Sequence, residues 1–264
     1  MLYIGNSIIK NGAIEPVDEQ LPIGNDAEVY EVIRIHNSHP VFLSDHLQRW
    51  RHSMVARGLA MPSWSDKLEQ LIEYLALCNM HLTDCDIRIT ACADGSVQCG
   101  FIETDFPTVS MVRNGAYCEI LHAMRPDPSL KIYHAQMRAD ATRQQISSGA
   151  YESILVDELG RVTEGSRSNV FFVTKDSVVQ TASDSLVLGG IVRSKVLQVC
   201  EDEHVAVRLD AVSESELDDF AAVFLTSTPM KVLPVSRIAS MNFDSVSNPV
   251  VKLIIDKVES LMSV

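Results

Sequence analysis

Along the chain, apolar positions recur every second residue in short stretches and at helical spacing in longer ones, and the two patterns alternate. Residues 2–9 read as a first strand, followed by Lys10-Asn11-Gly12 as a hairpin turn. Over 28–34, alternation places Tyr30, Val32 and Arg34 on one strand face and Val29, Glu31 and Ile33 on the other. A Tyr and an Arg on one face suit the polar wall of a pocket. Asn37-Ser38-His39 turns the chain, and Ser44 is placed to cap a helix over 45–57, with Asp45 in the first turn where the helix dipole favours negative charge. Leu47, Trp50 and Met54 make its apolar stripe; Arg49 borders that stripe and could reach inward to an anion. A second amphipathic helix is predicted over 65–80, with Leu68, Leu71, Ile72, Tyr74, Leu75 and Leu77 as its apolar face. Strands over 86–92 and 96–102 flank an Asp94-Gly95 turn.

The polar, proline-containing stretch 103–108 reads as a linker, dividing a small α+β domain (1–105) from a larger α/β domain (106–264). Beyond it, 109–112 and 116–122 are strand-like, and Pro126 and Pro128 exclude regular helix before Lys131. A helix is predicted over 133–148 with Gly149 as its C-terminal cap. Residues 153–156 and 169–173 are apolar strand runs, expected to pair around a Gly- and Ser-rich turn that carries Glu164. Lys175-Asp176 reverses the chain into a further strand over 177–180. Gly189-Gly190 precedes a helix over 194–201 and leaves the N–H groups of Ile191 and Val192 pointing outward, an anion site reinforced by the dipole. A buried strand over 220–225 ends in Thr226-Ser227-Thr228, a further set of anion contacts, and 232–236 is edge-like because of Pro234. An amphipathic helix over 249–262 closes the chain.

Length and composition narrow the function classes. At 264 residues and 46% hydrophobic, the chain can bury roughly three quarters of its unfolded surface. No apolar run approaches the ~18 residues needed to cross a bilayer, and the first residues lack a basic region, a long apolar stretch and a cleavage site, so a cytoplasmic location is expected. A net charge of -13 with scattered Lys and Arg disfavours nucleic acid. Cysteines stand at 78, 85, 92, 99, 118 and 200. The even spacing of the first four is wrong for paired zinc ligands, so reduced thiols and no bound metal are expected.

Taken in order, Tyr30-Glu31-Val-Ile-Arg34, His46-x-x-Arg49, Lys131, Glu164-Gly-Ser-x-Ser-Asn169, Gly190-Ile191-Val-Arg193 and Thr226-Ser-Thr228 form one series. It resembles the class IV aminotransferases, the fold type IV pyridoxal-phosphate enzymes that include branched-chain and D-amino-acid aminotransferases and aminodeoxychorismate lyases. The resemblance covers nearly the whole chain. It implies an α+β, two-domain, D-amino-acid aminotransferase-like fold with the cofactor, pyridoxal 5'-phosphate, in a cleft between domains. Lys131, placed before the Gly-x-Tyr-Glu-x-Ile-Leu segment at 149–155 as the family's Schiff-base lysine is, would hold the cofactor and shuttle the substrate's proton. Glu164 would face the pyridine nitrogen. Arg49, the N–H groups of Ile191 and Val192, and the hydroxyls of Ser227 and Thr228 would hold the phosphate, and Ser166, Ser168 and Asn169 would shape its surroundings. Tyr30, counted with Lys131 and Glu164 as catalytic, would line the substrate side with Arg34. A homodimer acting on an amino acid and a 2-oxo acid is expected.

Three departures from the family pattern stand out. Val192 replaces a Thr hydroxyl, His134 replaces the Asn three positions after the lysine, and Ala93-Asp-Gly-Ser-Val-Gln98 lacks the Arg-x-His carboxylate trap of D-amino-acid aminotransferases. Arg34, Arg88 and Arg125 are all candidates for the substrate carboxylate. The same residues also serve aminodeoxychorismate lyase, which eliminates pyruvate and leaves 4-aminobenzoate, and a different class altogether is a binding module on the same fold.

Overall fold

A computed structural model describes residues 3–17 and 29–262. The expectations for Leu2 and Glu28, at two strand ends, lie outside the described residues. The chain divides into two compact units: residues up to Asp105 together with Leu130–His134, and Phe106–Ser129 together with Ala135 onward.

The first unit contains β1 (Tyr3–Lys10), β2 (Ala13–Pro16), β3 (Val29–His36), β4 (His39–Pro40), α1 (Leu43–Ala56), α2 (Leu68–Cys78), β5 (Asp84–Ala91) and β6 (Val97–Ile102). Its sheet runs β2-β1-β6-β5-β3-β4, antiparallel throughout. Alternation along the strands sends Ile33, Ile35, Ile87, Ile89 and Phe101 into one core with Leu47, Trp50, Ile72 and Leu75 of the helices. The opposite face carries Tyr30, Arg34, Asp86, Arg88 and Thr90, with Tyr30 opposite Thr90 and Arg34 opposite Asp86. α1 starts one residue before Ser44: Phe42 holds the N-cap in a left-handed conformation and makes no side-chain cap. The second helix opens as a 3-10 turn at Ser65–Lys67, and Tyr74 and Leu77, expected on its apolar face, are exposed.

Leu130–His134 completes this unit. Tyr30 N–H donates to the Lys131 carbonyl at 3.0 Å, Val29 bridges to Ile132, and Lys131 N–H donates to Ser53 Oγ at 3.3 Å. Leu130 and Ile132 are buried in the same core. Lys131 is therefore held by backbone at the start of β3.

The second unit contains α3 (Val109–Asn114), β7 (Ala116–His122), α4 (Ala135–Ser148), β8 (Glu152–Val156), β9 (Arg161–Gly165), β10 (Asn169–Thr174), β11 (Val179–Thr181), α5 (Ile191–Asp202), β12 (Val207–Leu209), β13 (Val212–Ser213), β14 (Phe220–Ser227), β15 (Lys231–Ile238), β16 (Met241–Asn242) and α6 (Pro249–Met262). Its sheet order is β12-β11-β10-β14-β15-β7-β8-β9-β13, with β16 on β15. β7 and β8 are parallel, so the chain must cross over between them, and α4 packs on both.

Three sequence expectations are corrected here. Residues 109–112 lie in helix α3, because Thr108 Oγ1 caps it by accepting from Met111 N–H at 3.2 Å. The runs 153–156 and 169–173 do not pair; β8 forms its hairpin with β9, which carries Glu164, and β10 pairs with β11 and β14. Pro234 lies in an interior strand, opposite Phe224. β7 begins opposite Val235, so at Pro234 the strand has one neighbour and its missing N–H is tolerated.

Candidate active site

In the first unit, Lys131 Nζ stands 4.9 Å from the centre of the Tyr30 ring, and the Arg88 guanidinium stacks 4.2 Å from the same ring and 5.6 Å from that of Tyr133. Tyr30 and Tyr133 meet edge to face at 6.3 Å. Two cations thus lie against one aromatic ring, whose quadrupole attracts both. Arg88 Nε donates to Thr90 Oγ1 at 3.1 Å. Arg34, predicted beside Tyr30, instead donates through Nη2 to Asp84 at 3.0 Å, and His36 bonds to the same carboxylate.

Behind this face, Glu31 is fully buried and receives a forked pair from Arg49, 2.8 Å from Nε and 2.6 Å from Nη2, with His46 Nδ1 at 3.1 Å. Burial alone would raise the carboxyl's pKa, but the Arg49 charge, and then His46, hold it well below the usual range. Burial lowers the pKa of His46, so its neutral ring donates to Glu31. Arg49 therefore enters the site locked in orientation. Glu31 and His46 stand in the series noted in the sequence, but neither was given a role there. The available signal was an acid on the apolar face of an alternating strand, which requires a counter-ion.

Asp86 is 2% exposed, and its Oδ1 has no hydrogen-bond partner among the described residues. The Thr104 hydroxyl approaches without closing a bond of normal geometry. Burial pushes the Asp86 pKa up to about 6, with Arg34 and then Thr104 opposing the shift.

In the second unit, β9 presents Glu164 in the interior. Arg125 Nε donates to Oε1 at 2.6 Å, and Oε2 accepts from Leu188 N–H at 3.2 Å and Asn169 Nδ2 at 3.4 Å. Arg125 and Arg138 also hold the Ser166 carbonyl. Donors thus meet both oxygens of this buried carboxylate.

The turn after Glu164 is built on a second buried acid, Glu152. Its Oε1 accepts from Ser166 Oγ at 2.6 Å and Ser153 N–H at 2.8 Å; its Oε2 accepts from Ser168 Oγ at 2.9 Å and Arg167 N–H at 3.3 Å. The hydroxyls of Ser166 and Ser168, predicted near the cofactor, thus hold the turn's shape. Glu152 was not singled out from the sequence.

Asn169 Nδ2 also donates to the Leu188 carbonyl at 2.9 Å, tying β10 to the loop before α5. A Cβ on Gly190 would fall 2.1 Å from Asn169 Oδ1, so glycine is required there by close approach. Gly190 is the N-cap and supplies no side-chain bond, which leaves the first-turn N–H groups of Ile191 and Val192 without a capping side chain. Arg193 turns away to Asp184 and the Ala182 carbonyl, latching the loop. At the end of β14, Ser227 Oγ accepts from Met230 N–H, Thr228 follows in the turn, and the buried Thr226 hydroxyl has no partner among the described residues. An uncapped helix start and an unpartnered hydroxyl suit an anion such as a phosphate ester, and an anchored buried carboxylate suits a protonated ring nitrogen. This donor set fits a phosphorylated pyridine cofactor.

Residues 28–238 match the family described as amino-transferase class IV. The chain is 41% identical to the D-alanine aminotransferase of Bacillus licheniformis over 99 residues, 37% of this chain and 34% of that protein. It is 28% identical to a probable branched-chain-amino-acid aminotransferase of Thermotoga maritima over 221 residues, 81% of this chain and 78% of that one. Its fold is that of a T.th. branched-chain amino acid aminotransferase solved with pyridoxamine 5'-phosphate, at TM-score 0.85 and 24% identity, covering 99% of this chain and 95% of that one.

Proposed function

This chain belongs to the class IV aminotransferase family, and from that premise we propose that it moves an amino group from an amino acid to a 2-oxo acid, using pyridoxal 5'-phosphate held covalently by Lys131. When bound, the cofactor supplies an electron sink for the carbanion left at Cα. Lys131 Nζ, the amine that would hold the cofactor, would also carry the proton from Cα. Its backbone anchorage to Tyr30 and Ser53 confines that motion to the side chain. Glu164 would keep the ring nitrogen protonated, its carboxylate held in orientation by Arg125, Asn169 and the Leu188 N–H.

The first turn of α5, with Ser227, Thr228 and the Thr226 hydroxyl, holds the phosphate, and Arg49 adds its charge in the orientation Glu31 imposes. Arg88, stacked on the ring that Lys131 faces, takes the substrate carboxylate. We place the enzyme as a homodimer. The observation that carries the reading is the buried Glu164 carboxylate, held in orientation by Arg125.

The test is a single half-reaction on the purified protein. An amino acid should discharge the visible cofactor band and release a 2-oxo acid in equal amount, and the band should return when a second oxo acid is added. Borohydride should fix the cofactor to wild type and not to Lys131→Ala. An enzyme that eliminates pyruvate would restore its band at every turnover without added oxo acid, and that outcome would overturn transamination.

A further inference from the structure

Asp86 is a buried polar residue that the reading above leaves unused. It lies on the same face of β5 as Arg88, two residues along, and the Tyr30–Thr90 register pair brings the Tyr30 ring and Lys131 to that face. The arginines that could neutralise it bond elsewhere: Arg34, directly opposite, to Asp84, and Arg88 to Thr90. Its Oδ1 is left without a donor among the described residues in a side chain almost closed to water. Such an oxygen destabilises the protein until a ligand supplies the missing hydrogen bond.

We propose that Asp86 is a specificity-determining acceptor for the substrate side chain, selecting amino acids whose side chain ends in a hydrogen-bond donor over aliphatic ones of equal length. The proposal rests on the aminotransferase reading and deepens it. A substrate carboxylate on Arg88 would start about 7 Å along the strand from Asp86, a span that the Asp86 side chain and a substrate side chain of three or four atoms close together. Hydroxyl, amide and ammonium ends satisfy Oδ1 equally in kind. A methyl end would give the oxygen nothing, which is how a site built around a hydrogen bond rejects the analogue lacking it. The relatives are named for D-alanine and branched-chain amino acids, whose side chains are aliphatic; this carboxylate points to a polar one.

The experiment compares isosteric donors in the half-reaction: homoserine against norvaline, and ornithine against norleucine, in both enantiomers. Wild type should favour the donor-bearing member by about ten- to a hundredfold in kcat/KM. Asp86→Leu should abolish or invert the ratio, and Asp86→Asn, which keeps an acceptor, should retain part of it. Wild type needs no variant to be read, so a misfolded Leu variant leaves the question decidable. Equal or faster conversion of norvaline and norleucine by wild type would overturn the role of Asp86 and leave transamination standing. Failure of every amino acid to discharge the cofactor band would overturn both.

Discussion

Replacing Asp86 by Asn is expected to stabilise the protein at neutral pH, by an amount that grows with pH. The folded carboxyl has its pKa raised from 3.8 to about 6 by burial, only partly countered by Arg34 and Thr104. Below about pH 4 the group is protonated whether the chain is folded or not, and wild type and variant differ by a constant. Between pH 4 and 6 the unfolded chain releases a proton that the folded chain keeps, so wild-type stability falls as pH rises. Above pH 6 the loss is complete. A shift of about two pKa units corresponds to about 3 kcal/mol, so the gap between Asn and wild type should open by about that much from pH 4 to pH 7. Both tryptophans, Trp50 and Trp64, lie in the first unit, so urea unfolding of the full chain followed by fluorescence reports the unit that holds Asp86. A gap that stays constant within about 0.5 kcal/mol across this range would refute the reasoning. It would mean that Asp86 is paired in solution.

Arg49→Ala leaves Glu31 charged and buried without its guanidinium, with His46 and the Val32 N–H still beside it; a loss of about 3–5 kcal/mol in the same fluorescence assay is expected, and a loss below about 1 kcal/mol would contradict the pairing. Because Glu31 is held far below its ordinary pKa, its contribution is present above about pH 4.3 and drains away as pH falls, so Glu31→Gln should flatten the acid limb of the stability profile. Glu152→Ala removes the acceptor of five donors and should cost about 3–5 kcal/mol, against about 1–2 for Glu152→Gln, which keeps one oxygen; equal melting temperatures for the two variants would show that the turn does not depend on this carboxylate. Gly190→Ala should weaken pyridoxal-phosphate binding about tenfold or more, since the new methyl displaces Asn169; an unchanged Kd in an absorbance titration would count against this placement of the phosphate.

Elements whose physics is local were legible in the sequence. The Asp94-Gly95 turn forms between β5 and β6, the two prolines delay α4 until after Lys131, and Gly149 ends that helix with a positive φ of 74. What the sequence concealed is set by partners distant in the chain. Glu31 finds Arg49 on α1, and Glu152 finds Ser166 and Ser168 across a hairpin; no local pattern announces either pairing. Residues 109–112 misled because Val109 and Val112 are exposed on a short helix and mimic half of a strand pattern. Pro234 misled because the rule against proline in interior strands applies per neighbour, and there β15 has one. The run of family-like residues was readable as a series, but the duty of each was not: the hydroxyls of Ser166 and Ser168 and the guanidinium of Arg193 are engaged in holding loops.

The short visit of Leu130–His134 to the first unit also orders events during synthesis. A ribosome that has made the first 105 residues has made a unit still missing two core side chains, Leu130 and Ile132, and the segment that bridges to Val29. That unit closes only after β7 has been threaded out and the chain has come back. A fragment cut at Asp105 is therefore an open form, and the lysine at the centre of the proposed chemistry arrives with the residues that close it.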